Sequence, residues 1–121
     1  MQVFALRGAI DVERNDAAEI LAATTELMQA IMERNGLVPE QAVSCVFTAT
    51  QDLDAEFPAV AARAIGFDAV PLLCAQEIPV PGSMPRVIRV LLHYRADDDH
   101  APEHVYLRGT RALRVDLHAA Q

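Results

Sequence analysis

RVIRVLLHYR occupies residues 86–95 and is the strongest strand signal in the chain, rich in β-branched and leucine side chains with no glycine or proline inside it. Arg89 lies in its middle, with Val87 and Ile88 before it and Val90 and Leu91 after it. An interior strand gives a guanidinium little water, and a buried unpaired one is costly, so Arg89 needs an anionic partner. That partner is either a carboxylate of the same chain or a bound anion, unless a strand edge lets the head reach water. Arg7 sets the same problem in QVFALRGAI, a first strand at residues 2–10. There it alternates with Val3, Ala5 and Ala9, while Phe4, Leu6 and Ile10 point to the other face. Two arginines stranded among apolar residues favour a binding site, because one ligand with two negative groups can satisfy both.

The rest of the chain supplies a frame for these two strands. Glu13 to Asp16 is a polar break, and Asp16-Ala17-Ala18-Glu19 has the form of a capping box that starts a helix. Ile20, Leu27 and Ile31, with Ala23 and Thr24 between, give that helix its apolar stripe, and Asn35-Gly36 ends it. Pro39-Glu40-Gln41 starts a turn, and VSCVFTA at 43–49 is a second strand. After a polar loop from Thr50 to Glu56, a short helix over 58–65 begins on Pro58 and is stopped by Gly66. AVPLLC at 69–74 reads as a third strand, followed by a loop stiffened by Pro79, Pro81 and Pro85. An acidic loop, Asp97-Asp98-Asp99, precedes a last strand over 104–114. Five strands with one long and one short helix predict an α+β fold, a mixed sheet with one helix-covered face. One helix can hardly cover five strands, so the rest of the sheet is expected to pack on other subunits.

At 121 residues the chain reads as a single domain, 1–121, able to bury roughly 65% of its extended-state surface. Hydrophobic residues form 52% of it and charged residues 22%, a globular composition. Cys45 and Cys74 are too few for a disulfide framework and too isolated for a zinc site. No run approaches a membrane span and residues 1–8 form no signal-peptide core, so the cytosol is the expected compartment. A net charge of −7 argues against nucleic acid or an anionic membrane as partner. All ten basic residues are arginine. Arginine forks suit carboxylates, but a GC-rich coding bias favours arginine and alanine alike, so the absence of lysine carries no functional weight.

Glu77 follows a strand end beside the rigid proline loop, a common place for ligand contacts; it is equally placed to be the structural partner of Arg89. Cys74 has no histidine motif to activate it and reads better as a small buried residue than as a nucleophile. His100 and His104 are four apart, but Pro102 lies between them, so they cannot form the helical zinc pair, and no metal site is expected. No glycine-rich phosphate loop, Ser-His-Asp arrangement or dinucleotide fingerprint is present. Tyr106 alternates with Val105 and Leu107 as a core aromatic, and Arg111 and Arg114 read as surface charges. These residues alone describe a small anion-binding domain.

Taken in order, longer segments say more. Arg7-Gly8-Ala9 with Val12-Glu13-Arg14, Thr48-Ala49-Thr50-x-Asp52-Leu53, and Phe57-Pro58-Ala59 with Ala62-Arg63 begin a series. Val70-Pro71, Cys74-x-Gln76-Glu77, Ile88-Arg89-Val90, His104-Val105-Tyr106-Leu107 and Leu113-Arg114-x-Asp116-Leu117 complete it. The series resembles the monofunctional chorismate mutases of the trimeric, mixed α/β type found in bacilli, over essentially the whole chain.

The resemblance implies a homotrimer with a pseudo-α/β-barrel core, active sites in the clefts between subunits, and the rearrangement of chorismate to prephenate without a cofactor. By matching position it implies that Arg89 contacts the ether oxygen and a carboxylate, Arg7 a carboxylate, and Tyr106 the side-chain carboxylate. It places Glu77 and Cys74 on the ring hydroxyl. Phe57, Arg63, Leu113 and Arg114 would line or close the mouth, the first two from the neighbouring subunit. Val60 departs from relatives that carry lysine near the mouth, and Val115 replaces a proline. A trimeric anion-binding module without turnover would use the same arginines. A hydrolytic enzyme on a similar scaffold would need Cys74 as its nucleophile.

Overall fold

The computed structural model describes residues 1–113. Its elements are β1 (Gln2–Asp11), α1 (Ala17–Asn35), β2 (Ala42–Ala49), α2 (Pro58–Ala62), β3 (Leu72–Gln76), β4 (Val87–Ala96) and β5 (Val105–Tyr106). Among the described residues the five strands form one sheet in the order β3-β2-β4-β1-β5. β4 pairs antiparallel with both β1 and β2, while β3 and β5 add parallel edges, so the sheet is mixed as the sequence predicts. Arg7 and Arg89 therefore lie on interior strands.

The pleat sorts the sheet into two unlike faces. Leu6, Ile10, Phe47, Ile88, Val90 and Leu92 bury one face against Ile20, Leu27 and Ile31 of α1. α2 and the π-turn Arg63–Phe67 lie beside α1 on that side, with Ala62 and Phe67 in the same core. The alternate positions, Val3, Leu91 and Leu73 among them, are left exposed on the opposite face. Exposed large apolar side chains on a strand face mark a surface that wants covering. Among the described residues no helix is long and apolar enough to cross a membrane.

Local devices fix α1 in place. The Asp16 carboxylate accepts from the Glu19 N–H at 3.0 Å, as a helix cap should. The reciprocal half of the expected capping box is absent, because the Glu19 carboxylate pairs with Arg14 at 2.6 Å instead. At the other end Gly36 takes the left-handed conformation, and the buried Asn35 ties the helix to a distant segment. Its amide donates to the Ile31 and Glu103 carbonyls, both at 3.0 Å, and its carbonyl accepts from the Glu103 N–H at 2.8 Å.

Gly8 sets the spacing of helix and sheet beside Arg7. A Cβ at Gly8 would stand 2.9 Å from Ile31 Cδ1 and 3.1 Å from both the Val105 carbonyl oxygen and Val90 Cγ1. Gly8→Ala is therefore expected to cost about 1–3 kcal/mol by overpacking, read as a lower urea midpoint. An unchanged midpoint would show that α1 retreats freely.

Three elements differ from the sequence reading, the first being α2, which ends at Ala62 instead of 65 and runs on through the π-turn Arg63–Phe67 with Gly66 inside it. β3 runs over Leu72–Gln76 instead of 69–74: the Pro71 carbonyl accepts from the Cys45 N–H at 3.0 Å, but Pro71 has no N–H to carry the ladder with β2 further back. The last strand is two residues long, Val105–Tyr106, instead of 104–114. Arg108 turns the chain with a φ of 54° into the 3-10 turn Arg108–Thr110, and residues 111–113 are helical. That turn is clamped: Arg108 donates to the Asp11 carbonyl and to Glu26, the Gly109 N–H to the Asp11 carboxylate, and the Thr110 hydroxyl to the Ala9 carbonyl.

Cys45 is sealed under the sheet, and burial, with Cys74 the lesser cause, pushes its thiol up to about 12. In the unfolded chain the thiol ionises near 9.0. Between these values the unfolded state has lost a proton that the folded state keeps, so stability falls as pH rises. Urea unfolding between pH 9 and 11 should show Cys45→Ala flattening that slope by up to about 1.4 kcal/mol per pH unit.

Candidate active site

The open face carries the two arginines. Arg89 pairs across the sheet with Ala9 of β1 and Thr48 of β2, and Arg7 pairs with Leu91. Arg7, Val46, Thr48, Arg89, Leu91 and Tyr106 line a cavity of about 310 Å³ on this face. The parallel edge places Tyr106 beside Ala9, where its ring packs with Val87 and Leu113. The Arg7 N–H, beyond the end of the β5 ladder, donates to His104 Nδ1 at 2.9 Å. Nδ1 must carry the lone pair to accept it, which fixes the ring tautomer.

Both explanations of Arg89 meet in one arrangement. Glu77 immediately follows β3, its N–H donating to the Ala49 carbonyl at 2.9 Å. Its carboxylate reaches over β2, and Arg89 Nε donates to Oε2 at 3.0 Å. Thr48 Oγ1 donates to the same oxygen at 2.8 Å. Among the described residues nothing accepts from the two terminal nitrogens of Arg89, and nothing donates to Glu77 Oε1. The ion pair orients the guanidinium without consuming its fork. A half-exposed cation on an apolar face, with a second arginine and a tyrosine around the same cavity, is built to take a small anion with two carboxylates.

The model of the family "chorismate mutase type I" matches residues 3–117. The chain belongs to the type I chorismate mutases. It is 49% identical to the chorismate mutase AroH of Thermus thermophilus over 118 residues, covering 96% of this chain and 97% of that one. It is 40% identical to the chorismate mutase AroH of Bacillus subtilis, covering 97% and 94%. A chorismate mutase structure from Clostridium thermocellum superposes with a TM-score of 0.87 at 45% identity, covering 90% of this chain and 98% of that one. This mutase accordingly rearranges chorismate to prephenate in the shikimate route to aromatic amino acids.

Not every residue singled out in the mutase sequence comes to the cavity within one chain. Arg7, Arg89 and Tyr106 line it, and Glu77 reaches Arg89. Cys74 pairs with Phe47 and packs partly against the core, on the helix-covered side of β3. Phe57 and Arg63 flank α2 and are exposed, again on the helix side of the chain's own sheet. Leu113 packs against the Tyr106 cluster, while Arg114 and Val115 lie outside the described residues.

Thr48 and His104 hydrogen-bond to Glu77 and Arg7, contacts that their own sequence context does not announce. Thr48 shares a face with Arg89 only once the β2–β4 register is known. His100, the other half of the four-residue histidine spacing, is occupied elsewhere, hydrogen-bonded to the buried Tyr94 hydroxyl at 2.6 Å. Among the described residues no three His, Cys, Asp or Glu side chains are grouped to hold a metal ion.

Proposed function

We propose that three copies of this chorismate mutase assemble with their open sheet faces inward, as a pseudo-α/β-barrel, and that each cleft between neighbours holds one chorismate on the Arg7–Arg89–Glu77 row. The observation that carries this reading is the Arg89–Glu77 pair, which leaves the terminal nitrogens of Arg89 facing no acceptor among the described residues. Arg89 then meets the ether oxygen and a carboxylate, Arg7 a carboxylate, and Tyr106 the side-chain carboxylate. The open Oε1 of Glu77 accepts the ring hydroxyl, and Cys74 contributes from β3 through its backbone, since its side chain faces the helix-covered side. Leu113 and Arg114 close the mouth, and a neighbouring copy supplies Phe57 and Arg63. The reaction takes place in the cytosol, where Cys45 and Cys74 stay reduced.

The chemistry needs nothing further. Within one molecule the ether C–O bond breaks and a new C–C bond forms, with no proton or co-reactant exchanged. If C–O cleavage runs ahead of C–C formation, negative charge builds on the ether oxygen. A fixed guanidinium aimed there stabilises the transition state more than the ground state. Arg7 and Tyr106 hold the enolpyruvyl arm over the ring, which contributes an orientation term.

Purified protein incubated with chorismate is expected to remove its ultraviolet absorbance with turnover nearly flat in pH around neutrality, since no acid or base acts. Light scattering on the same sample should give about three times the 13.2 kDa chain mass. A sharp bell-shaped profile centred near pH 7 would overturn the mechanism.

A further inference from the structure

The geometry points to Thr48 as a positioning residue of the rearrangement, one that decides which oxygen of Glu77 meets the substrate. This rests on the reading of Glu77 as the acceptor of the substrate hydroxyl. Thr48 stands on β2, between the strand that Glu77 follows and the strand that carries Arg89, and is the Cα partner of both Ala75 and Arg89. The carboxylate of Glu77 must pass over it.

A carboxylate held by one donor at one oxygen is not fixed. The last torsion of glutamate is broad and two-fold, so the group can turn about its axis. The favoured alternative for an arginine–carboxylate pair is the two-pronged arrangement, with both oxygens on the fork. That alternative would take up one terminal nitrogen of Arg89 and the free oxygen of Glu77 together, leaving less of either for a ligand. The Thr48 hydroxyl opposes it. It places a second donor on Oε2, 2.8 Å away and from a different strand than the 3.0 Å Arg89 Nε contact. With both donors on one oxygen the carboxylate plane is set, Oε1 is left without a protein donor among the described residues, and the Arg89 fork stays open. Threonine suits the task because its branched Cβ is stiff at χ1 on a strand.

Kinetics of the assembled enzyme with chorismate test this on four variants: Thr48→Val, Thr48→Ser, Glu77→Ala and Thr48→Val/Glu77→Ala. Thr48→Val keeps the shape and removes the donor, so kcat is expected to fall about 10-fold, the scale of one hydrogen bond to a charged group, with a smaller change in KM. Thr48→Ser restores the donor and should recover most of kcat. In the Glu77→Ala background Thr48→Val should change nothing further, because Thr48 acts only through that carboxylate. A parental kcat in Thr48→Val, or losses that multiply in the double variant, overturns the role of Thr48 while a slow Glu77→Ala leaves the reading of Glu77 standing. A parental rate in Glu77→Ala removes both. Should the valine variant fail to assemble, Thr48→Ala carries the same comparison.

Discussion

Arg89→Ala is expected to lower kcat by about 10³-fold while the chain still folds and assembles. Loss of one preorganised donor at a developing oxyanion costs 10²–10³ in kcat, and Arg89 supplies a full charge as well as a donor. The fold should tolerate the change. The Arg89 side chain is 37% exposed on the open face, and Glu77, once its cation is gone, keeps the Thr48 hydroxyl and gains water. Arg89→Lys is the sharper variant. A lysine offers one compact charge where arginine offers Nε to Glu77 and a fork to the ligand. It cannot do both, so most of the loss should persist. Stopped absorbance assays on the two variants, beside circular dichroism and light scattering, check the expectation. An Arg89→Ala enzyme with a tenth of the parental kcat would put the decisive charge elsewhere.

The second large effect concerns assembly. Phe57 and Arg63 flank α2, on the helix side of the sheet, and neither lines the cavity that holds Arg89. If neighbouring copies supply them, activity must vanish with the oligomer. Val3 and Leu73 are more than half exposed on the open face and do not line the cavity. The double variant Val3→Glu/Leu73→Glu sets carboxylates where an apolar contact is expected, and burying an unpaired charge is prohibitive. Light scattering should then report single chains, and turnover per chain should drop on the order of 100-fold through lost orientation of the substrate. A monomeric variant with parental turnover would sink the shared cleft.

Much of this was readable from the residues. Alternation placed Arg7 and Arg89 on apolar strands, and the cost of burying a guanidinium demanded an anion for each. The stripe of α1, its Asp16 cap and its Gly36 stop followed from local chemistry, as did Pro58 at the start of α2. What escaped depends on partners far along the chain. The 104–114 stretch has strand composition, yet Arg108 is drawn into a left-handed turn by Asp11 and Glu26, about 80 or more residues away. Glu77 was legible only as a choice between ligand contact and ion pair, because a sequence cannot say that one oxygen does the pairing and the other is spared. Thr48 needed the register of three strands.

The bonds from Asn35 to Glu103 reach further than helix capping. A helix end ordinarily frays by itself, at little cost to the rest of the molecule. In this chain the last turn of α1 holds the segment that leads into His104 and the two-residue strand bearing Tyr106, which is too short to keep its place unaided. Warming that loosens the helix terminus therefore loosens the ligand cradle in the same cooperative opening. Adaptation of this catalyst to heat can be selected at a helix cap on the far side of the sheet, out of reach of any substrate.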